Sequence, residues 1–264
     1  MNSLVPLDFY FDVWINAFLF LVLFTLLHTR ILKIDDPKNI NFIKVAGYIL
    51  LIFVILYLGQ RPISGRYFGD MRTYATYYSD YQLGAPIKGS KDIFFHVYMK
   101  TCSYFFSVHM FFTVCVMIYT LPLVRISKVL FKEYWYYAFF MFVVSFSFYT
   151  YGVNGIRNGA AGSLFLLGLS FKNKKLLMGL CFLAAVSFHK TMFLPIIAYL
   201  ITYLYNNPKM FLKGWLACIP LSLALGSVWI SLLASLGLGD DDRLAGYLTT
   251  QAEEGTFAYT GFRW

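Results

Sequence analysis

The segment YGVNGIRNGAAG, at residues 151–162, carries the strongest chemical signal in the chain. It places Arg157 and Asn158 among glycines, at the predicted start of a helix. The free N–H groups at a helix N-terminus favour an anion, and a guanidinium adds a bidentate donor. The segment therefore predicts binding of a diphosphate or another anion. The alternative is an arginine that extends to the membrane interface beside a tight helix-packing patch.

A second signal is the segment VSFHKTMF, at residues 186–193, which pairs His189 with Lys190. A histidine can accept and return a proton near neutral pH, so His189 is a candidate catalytic base. Lys190 offers a second cation for a phosphate. The alternative is a histidine that forms a hydrogen bond between helices. The other three histidines show no metal-ligand spacing to His189, so no metal site is expected.

The segment GRYFGDMRTYATYY, at residues 65–78, combines a carboxylate with aromatic side chains. Carboxylates accept hydrogen bonds from sugar hydroxyls, and aromatic rings cover the C–H faces of sugars. Asp70 is the candidate general base, and Arg72, Tyr74 and Tyr77 are candidate substrate contacts. The alternative is a salt bridge between Asp70 and a flanking arginine, which would contribute little to stability.

Near its C-terminus the sequence contains a further cation, Arg263, which is also a candidate substrate contact. The acidic run at residues 240–242 is interpreted as a solvated loop, because three adjacent acids seldom point at one ion. The sequence has no glycine loop of the kind that holds nucleotide phosphates, so neither ATP nor another cofactor is expected.

Composition assigns these residues to a membrane protein. The 264 residues are 59% hydrophobic and only 13% charged, whereas a soluble domain has roughly 25% charged residues. The apolar residues form long runs separated by short charged segments, which is the pattern that a bilayer requires. The expected fold class is all-α, a polytopic transmembrane helical bundle forming a single integral membrane domain over residues 1–264.

Eight spans are predicted, and several are shorter than the roughly 20 residues that cross a bilayer core. Short spans interrupted by glycine are tolerated where they line a cavity walled by protein. Two extracytoplasmic loops, 61–92 and 239–264, are long enough to carry a site. Residues 92–103 are expected to form a helix at the outer interface or an extension of the third span. The predicted spans are 13–31, 44–60, 104–124, 134–151, 156–171, 176–188, 191–206 and 214–237.

The distribution of charge predicts the orientation. With the N-terminus and C-terminus on the extracytoplasmic side, the cytoplasmic loops hold twelve of the 22 Lys and Arg against three of the 13 acids. The whole net charge of +9 then lies on one side, and the positive-inside rule assigns that side to the cytoplasm. The charge therefore requires no nucleic-acid partner, since contact with anionic lipid accounts for it.

Four of these segments together resemble the EpsG family, which is similar to the Wzy polymerases of bacterial exopolysaccharide, capsule and O-antigen. They are Asp70 with its trailing tyrosines, GIRNGAA at 155–161, SFHKT at 187–191 and GFRW at 261–264. The resemblance covers roughly residues 65–264. The family usually continues beyond the last motif into further spans, so the chain is expected to be a truncated copy or a fragment.

The resemblance implies a metal-independent glycosyltransferase in the cytoplasmic membrane of a bacterium. Such a polymerase joins undecaprenyl-diphosphate-linked oligosaccharide repeat units at the outer face of the membrane. Arg157, Arg263 and Lys190 would then bind the diphosphate, and Asp70 or His189 would deprotonate the acceptor. The implied partners are the lipid-linked oligosaccharide, the bilayer, and a chain-length regulator and a flippase of the same pathway.

Besides a purely structural subunit of an envelope complex, two other functional classes remain open. One is a transporter or flippase for a lipid-linked glycan, although the ionisable residues gather at the outer end and not at mid-depth. The other is a membrane acyltransferase with His189 as its base. The sequence shows no second catalytic acid near this histidine, which argues against the acyltransferase.

Overall fold

The computed structural model describes residues 5–87, 92–224 and 228, and all regular structure in these residues is helical. The chain divides into two compact units, Met1–Ala198 and Tyr199–Trp264. The eleven α-helices of the described residues are α1 (Tyr10–Ile31), α2 (Pro37–Gly59), α3 (Met71–Gln82), α4 (Ile93–Ser103), α5 (Val108–Phe131), α6 (Trp135–Val143), α7 (Phe146–Val153), α8 (Ile156–Ser170), α9 (Lys175–Phe188), α10 (Phe193–Leu204) and α11 (Pro208–Ala224).

Three helical segments of the described residues are long and apolar enough to cross a membrane: Leu7–Ile31, Pro37–Gly59 and Val108–Val143. The last joins α5 to α6 through a short 3₁₀ turn at Lys132–Tyr134. Local signals fix where these helices begin. The Asp36 carboxylate accepts from the Lys38 N–H at 2.8 Å, with proline in the first turn of α2. These segments confirm a membrane protein, while the count of eight spans stays a prediction.

The later helices of the first unit are short. α8 has 15 residues and α9 has 14, which gives lengths of about 22 and 21 Å. The span expected over residues 134–151 is interrupted at Ser145, where the backbone is extended. The Ser145 hydroxyl donates to the Phe142 carbonyl oxygen at 2.7 Å. This local bond gives the Phe142 carbonyl oxygen a side-chain partner at the point where α6 ends.

The stretch 61–92, expected to be an extracytoplasmic loop, contains a helix, α3, and its extracytoplasmic location stays a prediction. Its buried residues recur every three or four positions, as one face of a helix requires: Met71, Tyr74, Tyr78 and Tyr81. The Tyr78 hydroxyl donates to the Phe106 carbonyl oxygen at 2.7 Å, which ties α3 to the end of α4. The helix expected at 92–103 is confirmed as α4.

Polar contacts gather at two ends of the first unit. At the end called here the Arg61 end, Gln60 donates to the Thr113 hydroxyl at 2.7 Å and Arg61 donates to the Val153 carbonyl oxygen at 2.9 Å. At the Lys128 end, Lys128 donates to the Tyr48 hydroxyl at 2.8 Å. The residues assigned to opposite sides of the membrane thus lie at opposite ends of these helices. Which end faces the cytoplasm stays a prediction.

Within the second unit, the described residues are the last part of α10, the connection to α11, and α11 itself. The span expected at 214–237 coincides with α11 as far as Ala224. Its remainder, and the extracytoplasmic loop expected at 239–264, lie outside the described residues.

Candidate functional site

Three segments that are far apart in sequence meet at one carboxylate, that of Asp92. Arg157 Nη1 lies 2.9 Å from Asp92 Oδ2, and His189 Nδ1 lies 3.3 Å from the same oxygen. The backbone N–H of Lys190 also donates to this carboxylate. We call Asp92, Arg157 and His189 the Asp92 cluster.

Each member of the Asp92 cluster lies at the end of a helix. Asp92 directly precedes α4, Arg157 is in the first turn of α8, and His189 directly follows α9. Asp92 has a left-handed backbone with φ 51° and ψ 43°. Aspartate tolerates this region better than most residues, yet it costs about 1 kcal/mol or more. Such a conformation persists only where its surroundings hold it, and the three donors to the carboxylate provide that hold.

The packing of α4 against α9 and of α8 against α7 positions the cluster. Phe95 of α4 packs on Phe188, the residue before His189, with ring centroids 5.9 Å apart. On the other side, Gly159 of α8 lets this helix approach α7. A Cβ built at Gly159 would lie 2.8 Å from the Tyr151 carbonyl oxygen. Only glycine permits this approach. Gly159, two residues after Arg157, therefore helps to fix the position of the Arg157 guanidinium relative to α7.

Tyr74 supplies an aromatic surface to the cluster. Its side chain is buried on α3, and the Arg157 guanidinium carbon lies 5.6 Å from the ring centroid. A cation over a tyrosine ring within about 6 Å is attracted by the ring electrons. Tyr74 also packs edge-on against Phe95. The ring therefore restricts the guanidinium from one side while Asp92 holds it from another.

The cluster is partly open to its surroundings. The Asp92 side chain is 9% exposed, whereas those of Arg157 and His189 are 25% and 27% exposed. Burial alone would raise the pKa of Asp92, but the contacts with His189, Arg157 and the Lys190 N–H lower it below its ordinary value. Asp92 is therefore a carboxylate at neutral pH. A stabilised carboxylate is a weak base but a good acceptor that orients its donors.

The contact through Nδ1 determines what His189 can do. When Nδ1 carries the proton that it donates to Asp92, Nε2 is left as an acceptor on the other side of the ring. The tautomer is assigned here from the acceptor that Nδ1 faces. An imidazole held in this way by a carboxylate is the arrangement of a general base with its orienting acid.

The other residues predicted from the sequence lie around this centre. Asp70 is half-buried at the start of α3, one turn before Tyr74. Arg72 and Tyr77 line a shallow groove of about 400 Å³ with Thr73 and Thr76. Asn158 is half-buried beside Arg157, and the Lys190 side chain is exposed. Arg263 lies outside the described residues. The structure thus joins Arg157, His189 and the backbone of Lys190 at one carboxylate, and Tyr74 packs against the Arg157 guanidinium.

Sequence reasoning missed Asp92. It also treated His189 as having no acid nearby, and that interpretation is wrong, since Asp92 is 97 residues away in sequence yet 3.3 Å away in space. One signal was available: Asp92 is an acid that directly precedes a predicted interfacial helix on the expected outer side. Among the described residues, no group of three His, Cys, Asp or Glu could hold a metal ion.

Comparison with known proteins gives a family match over most of the chain. The model of the EpsG family matches residues 49–263, which include all members of the Asp92 cluster. No curated protein and no solved structure matches the chain.

Proposed function

The chain belongs to the EpsG family of membrane proteins of polysaccharide biosynthesis, and we propose that it is a polymerase that joins undecaprenyl-diphosphate-linked oligosaccharide repeat units. The observation that carries the proposal is the Asp92 cluster. A histidine suited to deprotonate a hydroxyl and an arginine suited to hold a diphosphate share one carboxylate. The transfer of a glycan from a lipid diphosphate to a sugar hydroxyl needs both groups.

His189 is the general base of the proposed reaction. Its Nε2 accepts the proton of the acceptor hydroxyl as the oxygen attacks the anomeric carbon of the donor glycan. Asp92 is a positioning residue, because it holds Nδ1 at 3.3 Å and favours the imidazolium that forms. A positioned base of this kind contributes about 10²- to 10⁴-fold to a rate. Asp70 is the other candidate base from the sequence.

Arg157 stabilises the leaving group. The bond between the anomeric carbon and the diphosphate oxygen breaks, and its electron pair goes to that oxygen. A guanidinium has five N–H donors in a fixed fork. Since Nη1 is engaged with Asp92, the remaining donors can turn towards a diphosphate beside the N-terminus of α8. Such preorganised donors contribute about 10²- to 10³-fold in kcat for acyl transfer. Lys190, Arg263 and Asn158 are the further candidates for this anion.

The proposal places this chemistry at the outer face of the cytoplasmic membrane of a bacterium. The bilayer delivers the substrate, a flippase supplies it, and a chain-length regulator is the further partner. Support comes from the location of Asp92, Arg157 and His189 at helix ends that the charge distribution assigns to the outer side.

The direct test is polymer formation by the purified chain in lipid, supplied with undecaprenyl-diphosphate-linked repeat units from its own pathway. We expect a ladder of longer lipid-linked glycans. His189→Gln should slow its formation about 10²-fold or more, and Arg157→Lys, which keeps the charge but loses the fork, about 10²-fold. The matched control is His109→Gln in the first turn of α5, which should leave the ladder unchanged. An unchanged ladder from His189→Gln would refute the assigned base.

One observation favours a second function, acyl transfer to a glycan hydroxyl. It is the same contact between His189 and Asp92, since a histidine with an orienting acid also serves that chemistry. Mass spectrometry of the products separates the candidates. A polymerase adds whole repeat units, an acyltransferase adds an acyl mass to a single unit, and a flippase leaves the covalent structure unchanged.

A further inference from the structure

An ammonium group lies between two aromatic rings at the Lys128 end of the first unit. Lys128 Nζ donates to the Tyr48 hydroxyl oxygen at 2.8 Å. It also lies 4.6 Å from the ring centroid of Tyr48 and 4.7 Å from that of Trp135. We call Tyr48, Lys128 and Trp135 the Lys128 site. Aromatic rings at these distances attract a cation, so they hold the ammonium in place.

The packing of α6 on α2 fixes the two rings. Gly47 leaves room for the Trp135 ring against the backbone of α2, because a Cβ at Gly47 would overlap that ring. The Tyr48 ring meets the Trp135 ring edge-on, with centroids 5.3 Å apart. Trp135 is buried, whereas Tyr48 is 49% exposed. The Lys128 site is therefore fixed on its Trp135 side and open on its Tyr48 side.

No protein carboxylate compensates the charge at this site. Within the described residues, Lys128 forms no ion pair with an Asp or Glu. From Thr113, at the Arg61 end, α5 runs fifteen residues to Lys128, a distance of about 22 Å. The hydrocarbon core of a bilayer is about 30 Å thick. Where α5 crosses the bilayer with Thr113 at one boundary, the ammonium lies inside the other. A charge at that level is costly without an anionic partner.

The Lys128 site has hydrogen-bond donors left for such a partner. An ammonium has three N–H donors, and within the described residues Lys128 uses one, towards Tyr48. The Tyr48 hydroxyl accepts that bond, and it donates its own proton to no acceptor among the described residues. Lys44 is exposed one turn before Tyr48 on α2 and brings a second ammonium to the same face. Charged donors that converge in this way fit a phosphate group.

An apolar stripe continues from the Lys128 site along α2. Ile52 and Leu56 follow Tyr48 at intervals of four residues, so the three lie on one face of the helix. Ile52 is 58% exposed and Leu56 is 55% exposed. This face therefore runs from an ammonium through a phenol to two branched alkyl groups. That order matches a phospholipid, which carries a phosphate at one end and acyl chains along its length, and it argues against a free phosphate.

We propose that the Lys128 site binds one anionic phospholipid. The lipid phosphate accepts hydrogen bonds from the Lys128 ammonium and the Tyr48 hydroxyl, and Lys44 adds a second positive charge. One acyl chain lies along Ile52 and Leu56. Basic pockets between membrane helices bind lipid headgroups through the same chemistry. The inference does not rest on the proposed function, because the Lys128 site shares no residue with the Asp92 cluster.

The test is lipid binding to the purified full chain in detergent, counted by native mass spectrometry at about 0.15 M salt. The probes are phosphatidylglycerol and phosphatidylcholine with the same acyl chains. The wild type should prefer the anionic lipid about fivefold or more. Lys128→Gln should weaken the binding of phosphatidylglycerol about tenfold or more. Tyr48→Phe keeps the ring and all charges but removes the hydroxyl, and it should weaken this binding about fivefold.

Two matched controls separate a built site from general attraction to positive charge. Lys38→Gln removes the same charge from the first turn of α2, ten residues before Tyr48 and about 15 Å from it. Because charges are screened beyond about 8 Å at this salt concentration, binding should change by less than about twofold. Tyr104→Phe removes an exposed tyrosine hydroxyl at the end of α4 and should leave binding unchanged. Thermal unfolding without added lipid checks that each variant is folded.

Three results would overturn the inference. Equal losses in Lys38→Gln and Lys128→Gln, or equal binding of the two lipids by the wild type, would show attraction to charge alone. Unchanged binding in Tyr48→Phe would remove the hydroxyl from the site. Glycerol phosphate, the soluble analogue of the headgroup, should bind about 100-fold more weakly than the lipid, because it makes no acyl contacts. If it bound as tightly, the site would belong to a free phosphate.

Discussion

Removing the charges of Asp92 and Arg157 tests whether the Asp92 cluster is formed in the membrane. With N and O atoms 2.9 Å apart and charge centres about 4 Å apart, the pair interacts by about 4 kcal/mol at an effective dielectric constant near 20. Desolvation of a side chain that is nine-tenths buried offsets part of this energy. We therefore expect a coupling energy of about 1–3 kcal/mol between Asp92→Asn and Arg157→Met.

The assay is a double-mutant cycle on the free energy of unfolding, measured by tryptophan fluorescence during denaturant titration in mixed micelles. Asp92→Asn alone should cost about 2–3 kcal/mol, because the amide no longer attracts its charged donors. The control cycle pairs Arg157→Met with Asp35→Asn at the Lys128 end, where the effects should add within about 0.5 kcal/mol. A coupling energy below about 0.5 kcal/mol for Asp92 and Arg157 would show that the ion pair does not form.

Three further predictions concern the segments around the cluster. Gly159→Ala should lower the free energy of unfolding by about 1–3 kcal/mol, because its Cβ would lie 2.8 Å from a backbone oxygen. The control is Gly162→Ala, whose Cβ meets no described atom within 4 Å. It should raise the free energy of unfolding by up to about 1 kcal/mol. Both are measured by thermal unfolding. Arg61→Lys should destabilise by about 2 kcal/mol in the same assay, because a compact ammonium cannot reach the two carbonyl oxygens that the guanidinium joins. The pKa of Asp92 is lowered in the folded protein. The ionised carboxylate therefore stabilises the folded state above about pH 4, and this stabilisation is lost as the pH falls through the lowered pKa. The difference in free energy of unfolding between wild type and Asp92→Asn should stay constant from pH 5 to 8 and shrink below pH 4.

Each of these predictions has a contrary result. A Gly159→Ala protein as stable as Gly162→Ala would show that α7 and α8 are not in close contact. An unchanged stability of Arg61→Lys would show that a single carbonyl contact suffices at the Arg61 end. A stability difference for Asp92→Asn that grows between pH 8 and pH 5 would show that another group titrates with the cluster.

The sequence predicts the residues that lie on rigid helix ends better than the residue that joins them. Arg157 and His189 are recognisable because glycines and the change from apolar to charged residues mark where α8 begins and α9 ends. Asp92 has no such mark. Its partners are 65 and 97 residues away, and contacts across that separation depend on how α4 packs against α8 and α9, which no local pattern encodes.

The helices of the fold show the same division. The helix α3 was not predicted within the expected extracytoplasmic loop, although the spacing of Met71, Tyr74, Tyr78 and Tyr81 is that of a buried helix face. The interruption at Ser145 was also missed, since a hydroxyl that donates to a carbonyl three residues earlier is as common inside helices as at their ends.

The short length of α9 has a consequence for the membrane itself. At about 21 Å it is roughly 9 Å shorter than the hydrocarbon thickness of an average bilayer. Its leucines at 176, 180 and 183 are exposed and face acyl chains wherever lipid meets the helix. If α9 crosses the bilayer as the sequence predicts, the lipids beside it shorten or tilt, and the leaflet thins there by hydrophobic mismatch. Under the proposed function, the headgroup region then lies closer to His189, and the diphosphate of the proposed lipid-linked substrate would reach this helix end without leaving its leaflet.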